Sequence, residues 1–196
     1  PPLPLEAPHA LPQRPLVVET IAAVILGLGI SAACGLRVFL PVLVMCLGAK
    51  FGVFTPSHGF EWVDSWQALT VLSVACIFEI AAYYVPVVDH ALDAIKVPAA
   101  FVAAALATAA HMGDFHPVIT WGSALVAGGL ATTVNVGAAT VRATSTTTTG
   151  GFANPLLATF ENFIAATTSV LAVVLPITLG VIAVIVLALG VWISLK

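Results

Sequence analysis

Charge is what this sequence has least of. Six Lys and Arg and nine Asp and Glu stand among 196 residues, 8% in all, whereas soluble domains carry about 25%. A chain this poor in charge has too few polar groups to cover a globular surface, so a water-soluble fold is excluded. No basic run is present, which excludes nucleic acid as a partner, and a formal net charge of -3 points to no acidic or basic ligand. Cysteine is scarce too. Cys34, Cys46 and Cys76 lie in apolar segments without CxxC spacing and read as small packing residues rather than disulfide or metal partners. There is no GxSxG, no HExxH and no phosphate-binding glycine loop, and no Ser-His pair can be named. Neither an enzyme nor a cofactor or metal is expected.

What is abundant is apolar side chain: 60% of residues, with a mean hydropathy of +1.11. The chain reads as an all-α polytopic membrane helix bundle whose first partner is the lipid bilayer. Residues 1–15 carry prolines at 1, 2, 4, 8, 12 and 15, so they form an extended tail rather than a helix. Residues 16–196 form one transmembrane domain. The tail lacks the charged start and small-residue cleavage site of a secretory signal, so the first apolar segment is expected to be retained.

A span of about 30 Å of hydrocarbon needs roughly 20 apolar residues. Leu16 to Leu36 meets this, with Glu19 at its edge. Arg37 interrupts, and Val38 to Ala49 is a shorter element, a short span or a re-entrant helix. Phe51 to Trp66 is a water-boundary loop with Trp62 and Trp66 in an interfacial belt. Gln67 to Val85 is a third span and contains Glu79; Pro86 ends or bends it, and a short polar turn of helix follows. Pro98 to Met112 and the small-residue-rich Val118 to Val141 come next, the latter at the centre of the bundle. Asn162 to Leu195 has no charge over 34 residues, about 51 Å of helix, so a turn or strong kink is expected at Pro176. The count is six or seven spans.

Arg142 to Glu161, RATSTTTTGGFANPLLATFE, stands out between apolar regions. Six consecutive hydroxyl residues, two glycines and an Asn-Pro step read as irregular backbone at membrane depth, tolerated only inside protein or beside a water-filled cavity. An echo of it occurs earlier: Ser31 and Pro41 are ten residues apart, as are Ser145 and Pro155. Paired helix breaks of this kind mark transporter binding sites; the echo reads either as an internal repeat or as a chance match, since only the Ser, the Pro and the Leu two beyond each Pro are identical.

Ionisable residues inside spans suggest function. Glu79 is either a carboxyl held by a neighbouring helix or a proton or cation site. Glu161 follows a helix start with Asn154 as N-cap and Pro155 at the first position; it either satisfies the helix donors or shares the site with an anion. Arg37 can clamp a carboxylate or phosphate, while Arg142 is expected to snorkel to the interface. Asp89, Asp93 and Lys96 share a helix face, with His90 beside them, and read as a solvated ion-pair cluster. His111, Asp114 and His116 fall in a loop. The candidate substrate- or ion-binding residues are thus Arg37, Glu79, Thr147, Gly150, Gly151, Asn154 and Glu161.

The segments GLRVFLP, FEIAAYYVPVVDHALDAIKVPAA and RATSTTTTGGFANP followed by Glu161 resemble a bacterial membrane family known as domain of unknown function 4126. The resemblance covers most of the chain after the tail and makes Arg37, Pro41, Glu79, Pro86, Asp89, Asp93, Gly150, Gly151, Asn154, Pro155 and Glu161 the matching motif positions. It implies a bacterial inner (cytoplasmic) membrane location and supplies no activity. The expected function is a transporter or channel for a small solute or lipid head group, with a buried polar site at the two helix breaks. The alternative is a non-catalytic subunit of a larger membrane complex. A homo-oligomer or other membrane subunits are the expected protein partners.

Overall fold

The computed structural model describes residues 27, 29–84, 86–112 and 115–194, with side chains omitted for 86–94 and 175–194. The expected tail and most of the first expected span lie outside the described residues. Within them every regular element is helical and no strand occurs. Helix α1 is described over residues 29–36. It is followed by α2 (Phe39–Lys50), a short 3-10 turn (Glu61–Asp64), α3 (Trp66–Ala82), α4 (Pro86–His111), α5 (Pro117–Thr149) and α6 (Asn154–Ser194). Among the described residues, α5 and the Asn154–Val174 part of α6 are long and apolar enough to cross a membrane; α2, α3 and Ile95–His111 are apolar but shorter. Six or seven spans are therefore not reached by that measure.

The helices run through several positions where interruptions were expected. The polar segment after Pro86 and the apolar run from Pro98 form one helix, α4, with Pro98 inside it. No turn interrupts α6 at Pro176. Each proline removes one N–H from the ladder, and helices in apolar surroundings tolerate that loss where neighbours re-satisfy the freed carbonyl.

α1 and α2 form a helical hairpin. Gly27, two residues before the described part of α1, lies against Thr108 of α4. Beyond the outer end of α2, Phe54 stacks on His111 at 4.0 Å, and Ser57 donates its N–H to the Ala110 carbonyl at 2.9 Å. Both arms thus meet the C-terminal part of α4, and the bend between them, at Arg37 and Val38, points the other way. α1 packs closely on α5: a Cβ at Gly35 would lie 2.5 Å from the Ala131 carbonyl oxygen and 2.6 Å from Val134 Cβ. Only glycine permits that approach.

The core is built from small side chains. Ala100, Ala104, Ala107 and Ala131 are fully or almost fully buried around Ile30, Cys34, Met45 and Cys46. The outward faces carry large apolar residues: Val71, Ile77 and Phe78 on α3, Leu125 on α5, and Phe160 and Phe163 on α6 are all exposed. That is the inverse of a surface built for water. Trp62, Trp66 and Trp121, also exposed, cluster in sequence around the ends of α2, α3 and α5 on the side away from the α5–α6 turn.

Candidate functional site

Breaking a helix inside a bundle leaves N–H and C=O groups without partners, and the α1–α2 bend supplies substitutes from side chains. On the α2 side, Val38 and Phe39 donate their N–H groups to Glu79 Oε1 and Oε2 at 2.7 and 3.0 Å. Pro41, third in α2, has no N–H to satisfy. Glu79 is therefore a helix cap delivered from α3, and its negative charge faces the positive end of α2. On the α1 side, Asn135 Nδ2 donates to the Gly35 carbonyl at 3.1 Å. The Leu36 carbonyl accepts from Arg37 Nη1 at 2.8 Å and from Lys96 Nζ. Cations thus sit at the helix C-terminus, the other half of the same electrostatic rule.

Arg37 then reaches α6. Its Nε donates to Asn162 Oδ1 at 2.5 Å, Nη1 to Glu161 Oε2 at 2.8 Å and Nη2 to the Ala158 carbonyl at 3.1 Å. From the other side Arg142 Nη1 contacts both Glu161 oxygens at 2.5 Å. One carboxylate is shared by two guanidinium groups, and all three residues are buried. The Tyr83 ring, also buried, collects three cations: its centroid lies 4.1 Å from Arg37 Cζ, 4.5 Å from Lys96 Nζ and 5.1 Å from Arg142 Cζ. Such contacts between desolvated cations and an aromatic face are worth about 2 kcal/mol.

Three of the seven candidate residues, Arg37, Glu79 and Glu161, meet in this cluster. Arg142, expected at the interface, is 2% exposed and belongs with them. Lys96, Tyr83, Asn135 and Asn162 complete it and were not singled out by sequence as site residues; a Lys at a polar-apolar boundary and a Tyr beside Pro86 read equally well as interfacial.

The Thr-Gly stretch is not irregular backbone at depth. Arg142 to Thr149 continue α5, because the threonine hydroxyls bond carbonyls of their own helix: Thr144 to Thr140, Thr146 to Arg142 and Thr149 to Ser145, at 2.8–2.9 Å. Back-bonding of this kind keeps such residues within a helix. Only the turn between α5 and α6 is irregular. Gly150 and Gly151 adopt φ of +64° and +86°, left-handed values that favour glycine, and the following Phe152 is 92% exposed. Gly150 and Gly151 therefore form an outer turn. Thr147 is exposed and donates to the Thr144 carbonyl at 2.8 Å. Asn154 does not cap α6 with its side-chain oxygen; it is buried, and its Nδ2 donates across the turn to Thr146 Oγ1 at 2.9 Å.

Polar side chains nevertheless line the inner faces of α5 and α6. Asn135, Arg142 and Ser145 follow helical spacing on α5, as Asn154 and Glu161 do on α6, and all are buried. Asn135 Oδ1, Ser145 Oγ and Asn154 Oδ1 have no hydrogen-bond partner among the described residues. Arg142 lies eight residues before Gly150, about 12 Å along the helix. Asn135 lies 15 residues before it, about 22 Å. A polar seam thus leads from the outer turn to the bend.

The profile of domain of unknown function 4126 matches residues 24–196, a range holding every residue of the cluster. The chain belongs to this family. Searches of curated proteins and of solved structures gave no match. Within the family domain, the described residues include no group of three or more His, Cys, Asp and Glu placed to hold a metal. The side chains of Asp89, His90 and Asp93, and Asp114 altogether, lie outside the described residues. His111 ends α4, stacked on Phe54, and His116 Nδ1 accepts from Val118 N at 3.3 Å, capping α5. Outside the helices, Glu61 accepts from the Gly59 N–H at 2.9 Å. A bond from its own backbone N–H and then the one from Gly59 hold the Glu61 carboxyl below the usual carboxylate range, with His58 adding to the effect.

Proposed function

We propose that the protein is a non-enzymatic integral membrane transporter or channel for a small anionic solute. The observation that carries this reading is the polar seam between α5 and α6, ending at two guanidiniums beside a buried helix bend. Unpartnered buried polar atoms are costly, and intramembrane charges mark solute pathways. Irregular backbone at membrane depth is tolerated where protein or a cavity surrounds it. The cluster sits about 12 Å from the α5–α6 turn. It sits about 18 Å, the length of α2, from Lys50; these two distances together match a hydrocarbon layer of about 30 Å.

The chemistry follows from Glu161. It is the resident anion of Arg37 and Arg142, and an entering carboxylate, phosphate or halide competes with it for the same N–H groups. Movement of Glu161 off one guanidinium frees that donor set for cargo, and its return expels the cargo. Ser145 and Asn154 supply hydrogen bonds on the way in from the turn.

Proteoliposome uptake of chloride, acetate and inorganic phosphate down imposed gradients tests this. At least one anion should enter saturably, and Arg37→Gln should cut that rate at least tenfold while gel filtration and circular dichroism stay unchanged. A folded Arg37→Gln protein that transports as the parent does would sink the reading.

A second reading, an accessory subunit of a membrane assembly, draws on α5. A Cβ at Gly122, Gly129 or Gly137 would meet nothing within 4 Å, so this small-residue face is open for close helix packing. Mild-detergent purification that recovers one partner reproducibly would favour it.

A further inference from the structure

Two apolar grooves lie along α4 on the outside of the bundle, over the start of α2 and against α3. One, of about 270 Å³, is lined by Val42, Trp62, Leu72, Ala103 and Leu106 among others. The other, of about 340 Å³, has Phe78 and Ile95 in its walls and Glu79, Tyr83 and Lys96 at its base. Both include Val38, Phe39 and Ala99, so the two abut at these residues and lie end to end as a longer trench. Its lining along α4 runs from Ile95 to Ala107, about 18 Å. The larger groove alone has the volume of a small-ligand site, and the exposed Phe78 and Ile95 leave the trench open to the lipid side.

Among the described residues its ionisable groups are confined to one end. Lys96 is 4% exposed, yet no carboxylate of the described residues lies within ion-pair distance of it. Its ammonium has the Leu36 carbonyl and the Tyr83 ring. Glu79, at the same end, has both oxygens engaged by the first N–H groups of α2, whose partial positive charge offsets its own. A desolvated ammonium beside an apolar channel is matched by an anionic head carrying a hydrocarbon chain: the head makes a charge-assisted hydrogen bond, and the chain buries apolar surface.

We propose that this trench binds an anionic lipid, with one apolar chain lying along α4 and a carboxylate or phosphate head on Lys96. The inference concerns binding from the bilayer and stands whether or not the protein moves a solute through the α5–α6 seam.

The probe is dibrominated stearate, whose bromines quench tryptophan at short range, with its methyl ester as the uncharged control. The protein keeps Trp62, which lines the far end of the trench, with its other three tryptophans replaced by Phe, in nanodiscs of zwitterionic lipid. Stearate should quench Trp62 at a concentration roughly tenfold lower than the ester, a difference of about 1.4 kcal/mol. Lys96→Met should erase that preference, and Ala99→Phe, filling the shared neck, should remove quenching by both. Equal potency of acid and ester in the protein that keeps Lys96 would overturn the proposal, whatever the folding of the variants. So would acetate or inorganic phosphate displacing stearate at equal concentration, since the site would then bind a head alone.

Discussion

Glu79 on α3 accepts the N–H groups of both Val38 and Phe39, 41 and 40 residues earlier in the chain. One carboxylate thus closes the exposed end of a helix to which it is not covalently adjacent. Removing it leaves one buried donor, at Val38, and one part-buried donor, at Phe39, each costing about 1–3 kcal/mol when fully desolvated. Glu79→Ala should therefore destabilise the protein by about 2–5 kcal/mol. Glu79→Gln, which keeps one carbonyl acceptor, should cost less than half of that. Thermal unfolding in detergent ranks the two, and hydrogen exchange should localise the loss to the first turn of α2.

The shared carboxylate makes a different prediction. Glu161→Gln removes the carboxylate charge shared by two buried guanidiniums, a loss of about 3–5 kcal/mol for breaking a buried pair. Arg142→Met alone should cost less, because Glu161 retains Arg37 at 2.8 Å. In a double-mutant cycle the pair should couple by about 1–3 kcal/mol. Additive effects would mean that Arg142 and Glu161 do not act together.

Glycines separate close packing from open surface. Gly35→Ala forces α1 away from the Ala131 carbonyl and should cost about 1–3 kcal/mol. Gly129→Ala has open space around it and should be neutral or stabilise by up to about 1 kcal/mol through helix propensity. Denaturation of the two variants side by side checks the contrast. A Gly129→Ala protein that folds but changes its oligomer size would move weight to the subunit reading.

The α5–α6 turn should matter for stability and not for the site. Gly150→Ala and Gly151→Ala place a Cβ in left-handed backbone, at about 1–2 kcal/mol each. Both should lower thermal stability while leaving anion uptake per folded molecule unchanged. Uptake falling with stability intact would return the turn to the functional centre.

How much of this was legible follows from where each residue's partner lies. Arg37, Glu79 and Glu161 stood out because a charge in a long apolar run has to be accommodated, and all three meet at the bend. The second element was readable as short, and its pairing with α1 explains why it need not span. Arg142 and Lys96 were misplaced because each borders a polar segment, and linear distance from an apolar run does not measure depth. α5 extends well past the apolar stretch and carries Arg142 inward with it. The threonines misled for a local reason: six hydroxyls in a row look like a loop, yet the helix offers carbonyls that receive all five threonines among them. Tyr83 reads in the sequence as a partner of Glu79 or an interfacial anchor, and its role in gathering cations is hidden because an aromatic face binds them only once three remote elements deliver them.

On the proposed function, the bend between α1 and α2, deep in the bundle, borders a solute pathway and is not a sealed joint. Asn135, 0% exposed and placed where the polar seam meets the bend through its bond to the Gly35 carbonyl, lies on that pathway. In a background with Cys34, Cys46 and Cys76 replaced by Ala, Asn135→Cys should react in membrane vesicles with a small anionic methanethiosulfonate. The transported anion should slow that reaction. A folded protein whose Asn135→Cys thiol stays unreactive to that reagent for hours, with and without anion, would mean that no solute reaches the bend.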